Sequence, residues 1–371
     1  MEKRYYWLRQ SQYLSPLSPA CKMCAQGSKM VVLVTGLCPA RCFYCPLSKN
    51  KQNKDVIYAD EWQLENENDV DTLIAEAKAI NAKGSGITGG DPLLVPHRTI
   101  KYIKLLKETF GENFHIHLYT SGLQNTDSIR EMVEVGLDEI RFHPEPKNWE
   151  NMKQSPLQSV IVDSVRLSVE TAIEIPVIPG KNKEIIELIS WADDQNVKYV
   201  NLNELEFSEQ NEIALYHKGF TMRNELSAAV KYSQETAFNV LQHFESHPVS
   251  IGVHYCSSSF KDGVQLTNRM KRRAKNIATE NDIITEEGTI LKGIIEPSQK
   301  HSISSIKLIL DKELNLTAKK YLINKEKMRV ELHPDILEQY AVILNRLHLP
   351  CFIIEEYPTA DHLEVERIPI I

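Results

Sequence analysis

Three cysteines lie close together near the start of the chain, at Cys38, Cys42 and Cys45. They follow the apolar run Met30–Gly36, which is typical of a buried strand. Three thiolates on a loop that leaves a strand can bind three irons of a [4Fe–4S] cluster. The fourth iron would then be an open coordination site. This spacing therefore indicates a cluster that takes part in chemistry rather than one that only stores an electron.

A four-thiolate zinc site is the main alternative from spacing alone. Cys21 and Cys24 form one pair, and Cys42 and Cys45 form a second pair at a distance typical of a zinc ribbon. This arrangement leaves Cys38 without a role. The segment between the pairs also contains one strand instead of the hairpin that a ribbon needs. An iron–sulfur cluster at the three later cysteines is therefore favoured.

A second motif, Gly89-Gly90-Asp91, comes one strand–helix unit after the cysteines. Two glycines let a backbone approach a ligand closely, and a carboxylate is a suitable partner for an ammonium group. Taken alone, the motif is most often a turn. At this distance from the three cysteines, it indicates a ligand site beside the cluster.

Strand and helix patterns alternate along most of the chain, which predicts a parallel sheet with helices outside it. In such folds the functional groups gather at the carboxyl ends of the strands. The strand patterns cover 30–36, 85–89, 114–121, 138–143, 172–178 and 197–203, with 249–256 as a seventh candidate, and the helical patterns cover 69–83, 98–110, 126–136, 156–170 and 183–195.

Polar residues on three of these strands are expected to line a common cavity. Alternate residues of a strand share a face, so Arg141 and His143 lie opposite their apolar neighbours, as do Asn201 and Asn203. Glu174, on the strand between them, is a further polar candidate. A single residue of this kind is more often a hydrogen-bonded core group than a site residue. As a set that converges on strand ends, they predict the lining of a ligand cavity.

The cysteine spacing, with Tyr44 directly before the last cysteine, resembles the CxxxCxxC signature of the radical S-adenosylmethionine (SAM) superfamily. Over residues 18–145 the chain is similar to an archaeal-type group described only as related to pyruvate formate-lyase activating enzyme. The segments that carry the resemblance are Cys21-Lys-Met-Cys24, Thr35-Gly-Leu-Cys38, Cys42–Leu47, Gly86–Leu93, Phe114–Thr120 and Asp138–Pro144.

The resemblance implies a fold and a set of site residues. The expected fold is α/β, a partial (βα)6 TIM-type barrel. Cys38, Cys42 and Cys45 would bind the [4Fe–4S] cluster, and the Gly-Gly-Asp motif would bind the amino group of SAM. Tyr44 and the polar strand-end residues Arg141, His143, Glu174, Asn201 and Asn203 would complete the SAM site.

The resemblance also implies a reaction type without naming a substrate. Such an enzyme takes an electron from a reduced ferredoxin or flavodoxin, cleaves SAM reductively to a 5′-deoxyadenosyl radical and abstracts hydrogen from a substrate. Activation of a glycyl-radical enzyme remains open, as do radical methylation and other modification of a small molecule, lipid, protein or tRNA. A zinc-stabilised binding module is the non-enzymatic alternative.

A second metal site is a further hypothesis. Cys21 and Cys24 precede the first barrel strand, and Cys256 shares a strand face with His254. Such residues could bind zinc or an auxiliary iron–sulfur cluster. Buried thiols without a metal explain them equally well. Cys351, in a strand-like run, is expected to be a core residue.

Composition limits the class of protein. With 371 residues, 42% hydrophobic and 25% charged, the chain is typical of globular proteins. The net charge of −7 disfavours a nonspecific nucleic-acid binder, and the basic run Thr267–Lys275 is expected to be a solvated helix face. We find no apolar run of membrane-spanning length and no signal-peptide core at the start, which predicts a cytoplasmic protein with no membrane partner.

Three parts are expected along the chain. They are an N-terminal segment with the first cysteine pair (1–28), the partial barrel (29–279) and a small α+β domain of unknown role (280–371). The last part shows strand, helix, strand and strand patterns at 328–332, 335–347, 351–355 and 363–371.

Overall fold

The computed structural model describes residues 4–370 of the chain. It divides into two compact units, Met1–Lys78 with Ala82–Leu266 and Ala79–Asn81 with Thr267–Ile371. The expected boundary at 280 is later than this division, because the basic helix that starts at Thr267 packs within the second unit. We therefore propose two domains rather than three parts.

The first unit contains an eleven-stranded sheet, a separate two-stranded hairpin formed by β11 and β12, and surrounding helices. In chain order the strands are β1 Arg4–Tyr6, β2 Gln12–Leu14, β3 Lys29–Leu33, β4 Ile57–Ala59, β5 Trp62–Leu64, β6 Gly84–Thr88, β7 His115–Thr120, β8 Glu139–Phe142, β9 Glu170–Val177, β10 Tyr199–Glu204, β11 Met222–Asn224, β12 Ser227–Val230 and β13 Gly252–Cys256. The helices are α1 Pro19–Ala25, α2 Val70–Ala79, α3 Pro96–Phe110, α4 Ser128–Glu134, α5 Leu157–Arg166, α6 Asn182–Asp194, α7 Glu212–His217, α8 Ser233–Ser246 and α9 Ser258–Phe260.

The centre of the sheet is parallel, in the order β3, β6, β7, β8, β9, β10 and β13. Helices α2 to α6 connect the first six of these strands one after another. A parallel pair needs such a crossover connection, which explains why the strand and helix patterns alternate in the sequence. The expected α/β fold with a partial (βα)6 barrel is confirmed, and β13 extends its sheet as a seventh parallel strand.

Antiparallel strands flank the parallel centre on both sides. β4 pairs with β3, and β5 pairs with β4. At the other side β2 pairs with β13, placing Tyr13 opposite His254. Residues 12–14 are thus part of the main sheet, which is why we do not treat 1–28 as a separate segment.

The alternation of apolar and polar residues along the strands determines which side chains form the core. The residues predicted to face the helices are fully buried: Ile116, Leu118, Ile140, Phe142, Val200 and Leu202. Arg141 and Asn201, on the opposite faces of β8 and β10, are also buried. The interior of the barrel therefore contains charged and amide groups, and buried groups of this kind need hydrogen-bond partners.

The second unit is an antiparallel sheet with three helices. Its helices are α10 Thr267–Ile277, α11 Ile303–Lys312 and α12 Pro334–Arg346. Its strands are β14 Ile283–Ile284, β15 Ile290–Ile295, β16 Tyr321–Asn324, β17 Arg329–Leu332, β18 Cys351–Glu356 and β19 Glu364–Pro369, in the order β16, β17, β15, β18, β19, with β14 beside β15. The strand, helix, strand and strand expected at 328–371 are present, whereas α11, β15 and β16 were not predicted.

The core of this unit lies on one face of its sheet. Apolar residues of α11 and α12 pack there against Ile295, Val330 and Leu332, and Cys351 is buried with them, as expected. In the basic helix α10, Arg272 donates to the carbonyl oxygens of Ile80 and Asn81, so part of this run is used inside the unit rather than solvated. No helix in residues 4–370 has the length and apolar character needed to cross a membrane.

Candidate functional site

A cavity of about 660 Å³ opens at the carboxyl ends of the parallel strands in the first unit. Most of the residues predicted to form a site line it: Cys38, Cys42, Tyr44, Cys45, Gly89, Gly90, His143, Glu174 and Asn203. The three other predicted residues, Asp91, Arg141 and Asn201, are not part of this lining. Their contacts are described below, because they differ from the expected ones.

The cysteine loop, defined here as residues 36–55, begins where β3 ends. Its two ends are joined by backbone hydrogen bonds, from the Gly36 amide to the Lys54 carbonyl (2.8 Å) and from the Asn53 amide to the Gly36 carbonyl (2.9 Å). Arg98 on α3 binds Asp55 in the loop (2.6 Å) and the Val34 carbonyl oxygen (2.7 Å). The loop is therefore held closed at its base while its central residues face the cavity.

The three thiols of this loop are partly buried at the cavity wall. Cys42 and Cys45 are joined by a tight turn, in which the Cys45 amide donates to the Cys42 carbonyl (3.1 Å). Burial raises the pKa of Cys38 to about 11 and also raises the pKa of Cys42. The protein without metal thus favours the protonated thiols of Cys38 and Cys42, and binding of a metal centre would release these protons.

Gly89 and Gly90 follow β6 and lie against the cysteine loop. The Gly90 amide donates to the Thr35 carbonyl (2.6 Å), and the Asp91 amide donates to the Leu37 carbonyl (2.7 Å). A Cβ on Gly89 would overlap the Thr35 carbonyl oxygen, and one on Gly90 would overlap that of Leu37. The glycines were expected to admit a ligand. In the structure they also let two loops of the site come into contact.

The Asp91 side chain is held by hydrogen bonds from the loops around it. Its side chain is 1% exposed and accepts hydrogen bonds from the Leu93 amide (3.0 Å), the Thr120 hydroxyl (2.8 Å), and the amide (3.0 Å) and hydroxyl of Ser121. Both carboxylate oxygens are therefore occupied by the ends of β6 and β7. Asp91 thus holds the two loops together, and its contact with the SAM ammonium group stays a prediction.

Tyr44 and His143 form a hydrogen-bonded pair in the cavity wall. The Tyr44 hydroxyl lies 2.9 Å from Nε2 of His143. Burial lowers the pKa of His143 and raises the pKa of Tyr44, so both side chains are neutral at pH 7. The pair joins the cysteine loop to the end of β8.

Glu174 is the centre of a buried polar network. Its carboxylate accepts hydrogen bonds from Arg141 (2.6 Å), Asn203 (2.7 Å) and Asn201 (3.1 Å). Arg141 is 3% exposed and also binds Glu139 (2.6 Å). Burial alone would lower the pKa of Arg141, but the carboxylates of Glu139 and Glu174 hold it above its usual value. Arg141 and Asn201, expected at the cofactor, instead support Glu174 from within the barrel.

Two sequence families match the chain. The radical SAM superfamily matches residues 32–192, and a domain of unknown function (DUF8061) matches residues 288–370. The Methanocaldococcus jannaschii protein named "Putative glycyl-radical enzyme activating enzyme MJ0021" is 39% identical over 365 residues, covering 96% of this chain and 93% of that protein. The chain belongs to the radical SAM superfamily.

Among solved structures, the chain is similar to SuiB of Streptococcus suis. The structure of SuiB bound to S-adenosylmethionine has a TM-score of 0.42 at 10% identity, covering 62% of this chain and 49% of that chain. The structure of SuiB bound to its precursor peptide SuiA has a TM-score of 0.45 at 11% identity, covering 73% of this chain and 61% of that chain.

This radical SAM protein is an enzyme, and its cofactors are a [4Fe–4S] cluster and SAM. The superfamily, the enzyme class and the cofactors expected from the sequence are confirmed. The zinc-stabilised binding module is excluded as the function of the whole chain, because membership of this enzyme superfamily is established over almost its full length.

The donor set fits a cluster better than a single zinc ion. Four thiolates at about 2.3 Å from one zinc ion must lie close to one another. Among the described residues, no three cysteine sulfurs all lie within 4.8 Å of each other. In a [4Fe–4S] cluster each thiolate binds a different iron, so wider spacing of Cys38, Cys42 and Cys45 is compatible with that group.

In the described residues, the sulfurs of Cys21, Cys24 and Cys256 do not all lie within 4.8 Å of one another, so they do not form a site for a single zinc ion. Cys21 donates to Asn201 Oδ1 (3.7 Å), and burial raises its pKa to about 12. Cys256 is buried beside Phe260. A single zinc ion at these three cysteines is therefore not supported, and an auxiliary iron–sulfur cluster stays a prediction. Burial in the protein interior accounts for Cys21 and Cys256.

Among the described residues, one group of possible metal ligands does have its atoms within 4.8 Å of one another. It consists of His115, Glu139 and Glu170. It lies at the opposite end of the barrel, at or near the first residues of β7, β8 and β9. Arg141 and Ser18 already bind the Glu139 carboxylate, and Lys29 binds His115 (2.7 Å). Tyr199 donates to Glu170 (3.3 Å), so protein groups already contact all three of these side chains.

Several cavity residues of this radical SAM enzyme were not predicted. Thr120 is the last residue of β7 and Ser121 follows it, and their position at a strand end could have identified them. Glu206 and Lys261, which form an ion pair in the wall, follow β10 and β13 without any local motif. Burial alone would lower the pKa of Lys261, but Glu206 raises it above the usual value. Only the tertiary structure identifies this pair.

Proposed function

We propose that Cys38, Cys42 and Cys45 bind the [4Fe–4S] cluster, that the adjoining cavity binds SAM, and that the hydrogen abstracted belongs to another protein. The enzyme would thus be an activating enzyme for a glycyl-radical enzyme. One observation carries the site assignment: three thiols and the Gly89-Gly90 backbone line the same cavity on two loops that are hydrogen-bonded to each other. The protein substrate is supported by the name of the relative that covers nearly the whole chain.

When bound, the cluster and SAM supply an electron-driven cleavage of SAM to methionine and the radical that abstracts hydrogen. The chain's own residues bind and orient these groups. Gly89 and Gly90 have no side chains, so the amino acid part of SAM can approach their backbone closely. His143, Glu174 and Asn203 offer neutral and anionic hydrogen-bonding groups to its polar parts.

A reductant is required by this chemistry, and we propose a ferredoxin or a flavodoxin. A reducing compartment suits both this chemistry and the free thiols of the chain, so we place the enzyme in the cytoplasm.

The first test is cleavage of SAM. Reconstituted, reduced protein should release 5′-deoxyadenosine and methionine when SAM is added, even without its substrate. The variant in which Cys38, Cys42 and Cys45 are all alanine should release neither. A wild-type preparation with a full, reducible cluster that yields no 5′-deoxyadenosine would contradict the assignment of this cavity as the SAM site.

The second test concerns the protein substrate. A glycyl-radical enzyme from the same organism, labelled with glycine deuterated at Cα, is incubated anaerobically with the reduced enzyme and SAM. Deuterium should appear in 5′-deoxyadenosine, and a glycyl radical should appear in the electron paramagnetic resonance spectrum of the partner. Formation of S-adenosylhomocysteine without deuterium transfer would instead favour a methyltransferase.

A further inference from the structure

The segment after β10 contacts the cysteine loop at several points. This exit segment, residues 205–220, runs from the end of β10 through α7. Its Gln210 side chain donates to the Gln52 side chain (2.6 Å). The ring of Phe220 stacks on Phe43, with centroids 6.4 Å apart and planes at 8°. The loop that carries the three thiols is thus supported by a segment distant in sequence.

Asn211 makes the buried polar contact between these two segments. It is 2% exposed, and its amide nitrogen donates to the carbonyl oxygens of Tyr44 (3.1 Å) and Glu206 (3.0 Å). Its side-chain oxygen accepts from the Ser208 amide (2.8 Å). Tyr44 lies inside the turn between Cys42 and Cys45, so this single side chain holds the backbone of the turn to the exit segment.

The position of Asn211 makes this contact unusual. It is the N-cap residue, directly before α7, where an asparagine side chain normally accepts a hydrogen bond from an amide of the first helical turn. Asn211 makes no such bond to its own helix. Its amide group is used for the cysteine turn instead. Helix capping alone therefore does not explain an asparagine at this position.

We propose that Asn211 is a positioning residue for the cluster, a role that rests on the proposed function of the three cysteines. By holding the Tyr44 carbonyl, it fixes the orientation of the turn from Cys42 to Cys45. The side chains of Cys42 and Cys45 then have one orientation at the cavity wall. This orientation would determine where the cluster lies relative to SAM. Outer-shell contacts of this kind orient metal ligands in many proteins.

The test uses Asn211→Asp in the full chain. Aspartate has nearly the same shape, can still accept from Ser208 and is a good residue to begin a helix, so α7 should be preserved. It lacks the amide donor and faces the Tyr44 carbonyl with an oxygen. The matched control is Asn224→Asp, which makes the same chemical change on the exposed turn of the β11–β12 hairpin.

Three measurements are compared for the wild type and both variants. In the protein without metal, alkylation of Cys42 and Cys45 should be about five- to tenfold faster in Asn211→Asp, because one of the two hydrogen bonds lost is the one that holds the Tyr44 carbonyl. In the reconstituted protein, release of iron to a chelator should accelerate by a similar factor. The change that SAM causes in the electron paramagnetic resonance signal of the reduced cluster should be altered or broadened.

The outcomes separate this inference from the proposed function. If Asn211→Asp matches the wild type and Asn224→Asp in alkylation, iron release and spectrum, Asn211 does not position the cluster. If the wild type itself shows no effect of SAM on its signal, the proposed function fails, and the alkylation rates still decide whether Asn211 holds the turn. Equal thermal unfolding of the two variants would show that a changed signal does not come from loss of the fold.

Discussion

At the scale of single residues, Asp91 shows how one carboxylate can hold two strand ends together. Its oxygens accept from the Leu93 amide, the Thr120 hydroxyl and both donors of Ser121. A neutral side chain of the same shape would present an NH2 group to at least one of these donors. The residue therefore acts on the cavity through the loops that line it.

We predict that Asp91→Asn lowers the free energy of unfolding by about 1–3 kcal/mol, the cost of leaving buried donors without an acceptor. SAM affinity should fall together with stability. Urea unfolding of the metal-free chain and SAM binding to the reconstituted chain measure the two effects. Ser128→Ala, which removes an exposed hydroxyl, is the control. Wild-type stability with at least tenfold weaker SAM binding would instead indicate direct contact between Asp91 and SAM.

At the scale of elements, the site depends on contact between the cysteine loop and the loop after β6. The amides of Gly90 and Asp91 donate to the carbonyls of Thr35 and Leu37. This contact places the thiols and the Gly-Gly backbone on one cavity wall. The spacing of the loops is set by the absence of side chains at the two glycines.

We predict that Gly90→Ala destabilises the chain by about 3 kcal/mol, because its methyl group would force the two loops apart. The reconstituted variant should also bind less iron, since the new methyl group would displace Leu37, which is next to Cys38. Gly263→Ala is the matched control, because a Cβ there meets neighbouring atoms at 3.4 Å or more. Iron content and unfolding free energy equal to those of the wild type would show that the two loops can separate without harm.

At the scale of the whole molecule, each unit buries charged side chains that are paired within it. The second unit contains a buried charge cluster in which Glu356 is fully buried and binds Lys292 (2.8 Å) and Arg329 (3.0 Å). Burial alone would raise the pKa of Glu356, but hydrogen bonds from His362 and Lys292 lower it from 4.5 to about 2. Folding of this unit is therefore linked to pH.

Because the pKa of Glu356 is lower in the folded chain, its contribution is complete above pH 4.5 and is lost as the pH falls toward 2. We predict a loss on the order of 2–3 kcal/mol across this range. Glu356→Gln should be less stable at pH 7, because it leaves Glu331 as the remaining buried carboxylate beside Lys292 and Arg329, and should lose less stability on acidification. Chemical unfolding at pH 7, 5 and 3 measures both effects. Parallel pH profiles for the two proteins would contradict this prediction.

The metal content of the molecule tests the earlier cysteines. Because Cys21 contacts Asn201 and Arg141, and Cys256 contacts Gln265, we predict that reconstituted protein contains about four irons per chain. Replacing Cys21 and Cys24 together with serine should leave this number unchanged. Additional iron or zinc that disappears in the double variant would show that a second site forms.

The sequence by itself determined the features that depend on nearby residues. The alternation of strands and helices was readable because each pattern spans only a few residues, and the parallel sheet follows from it. The spacing of Cys38, Cys42 and Cys45 is equally local, and so is the Gly89-Gly90 pair. These patterns were sufficient to predict the superfamily and its cofactors. In the second unit, α11, β15 and β16 were missed although their signals are also local.

Only the tertiary structure decided which polar groups meet. Asp91 and Arg141 looked like ligand-binding residues by type and strand position, but neighbouring strands supply partners that occupy them. The ion pair of Glu206 and Lys261 joins segments that follow different strands. Asn211 and Tyr44 are 167 residues apart in the chain, and no local pattern relates them. Such contacts arise when strands distant in sequence bring their ends to one edge of the sheet, so they depend on the whole fold.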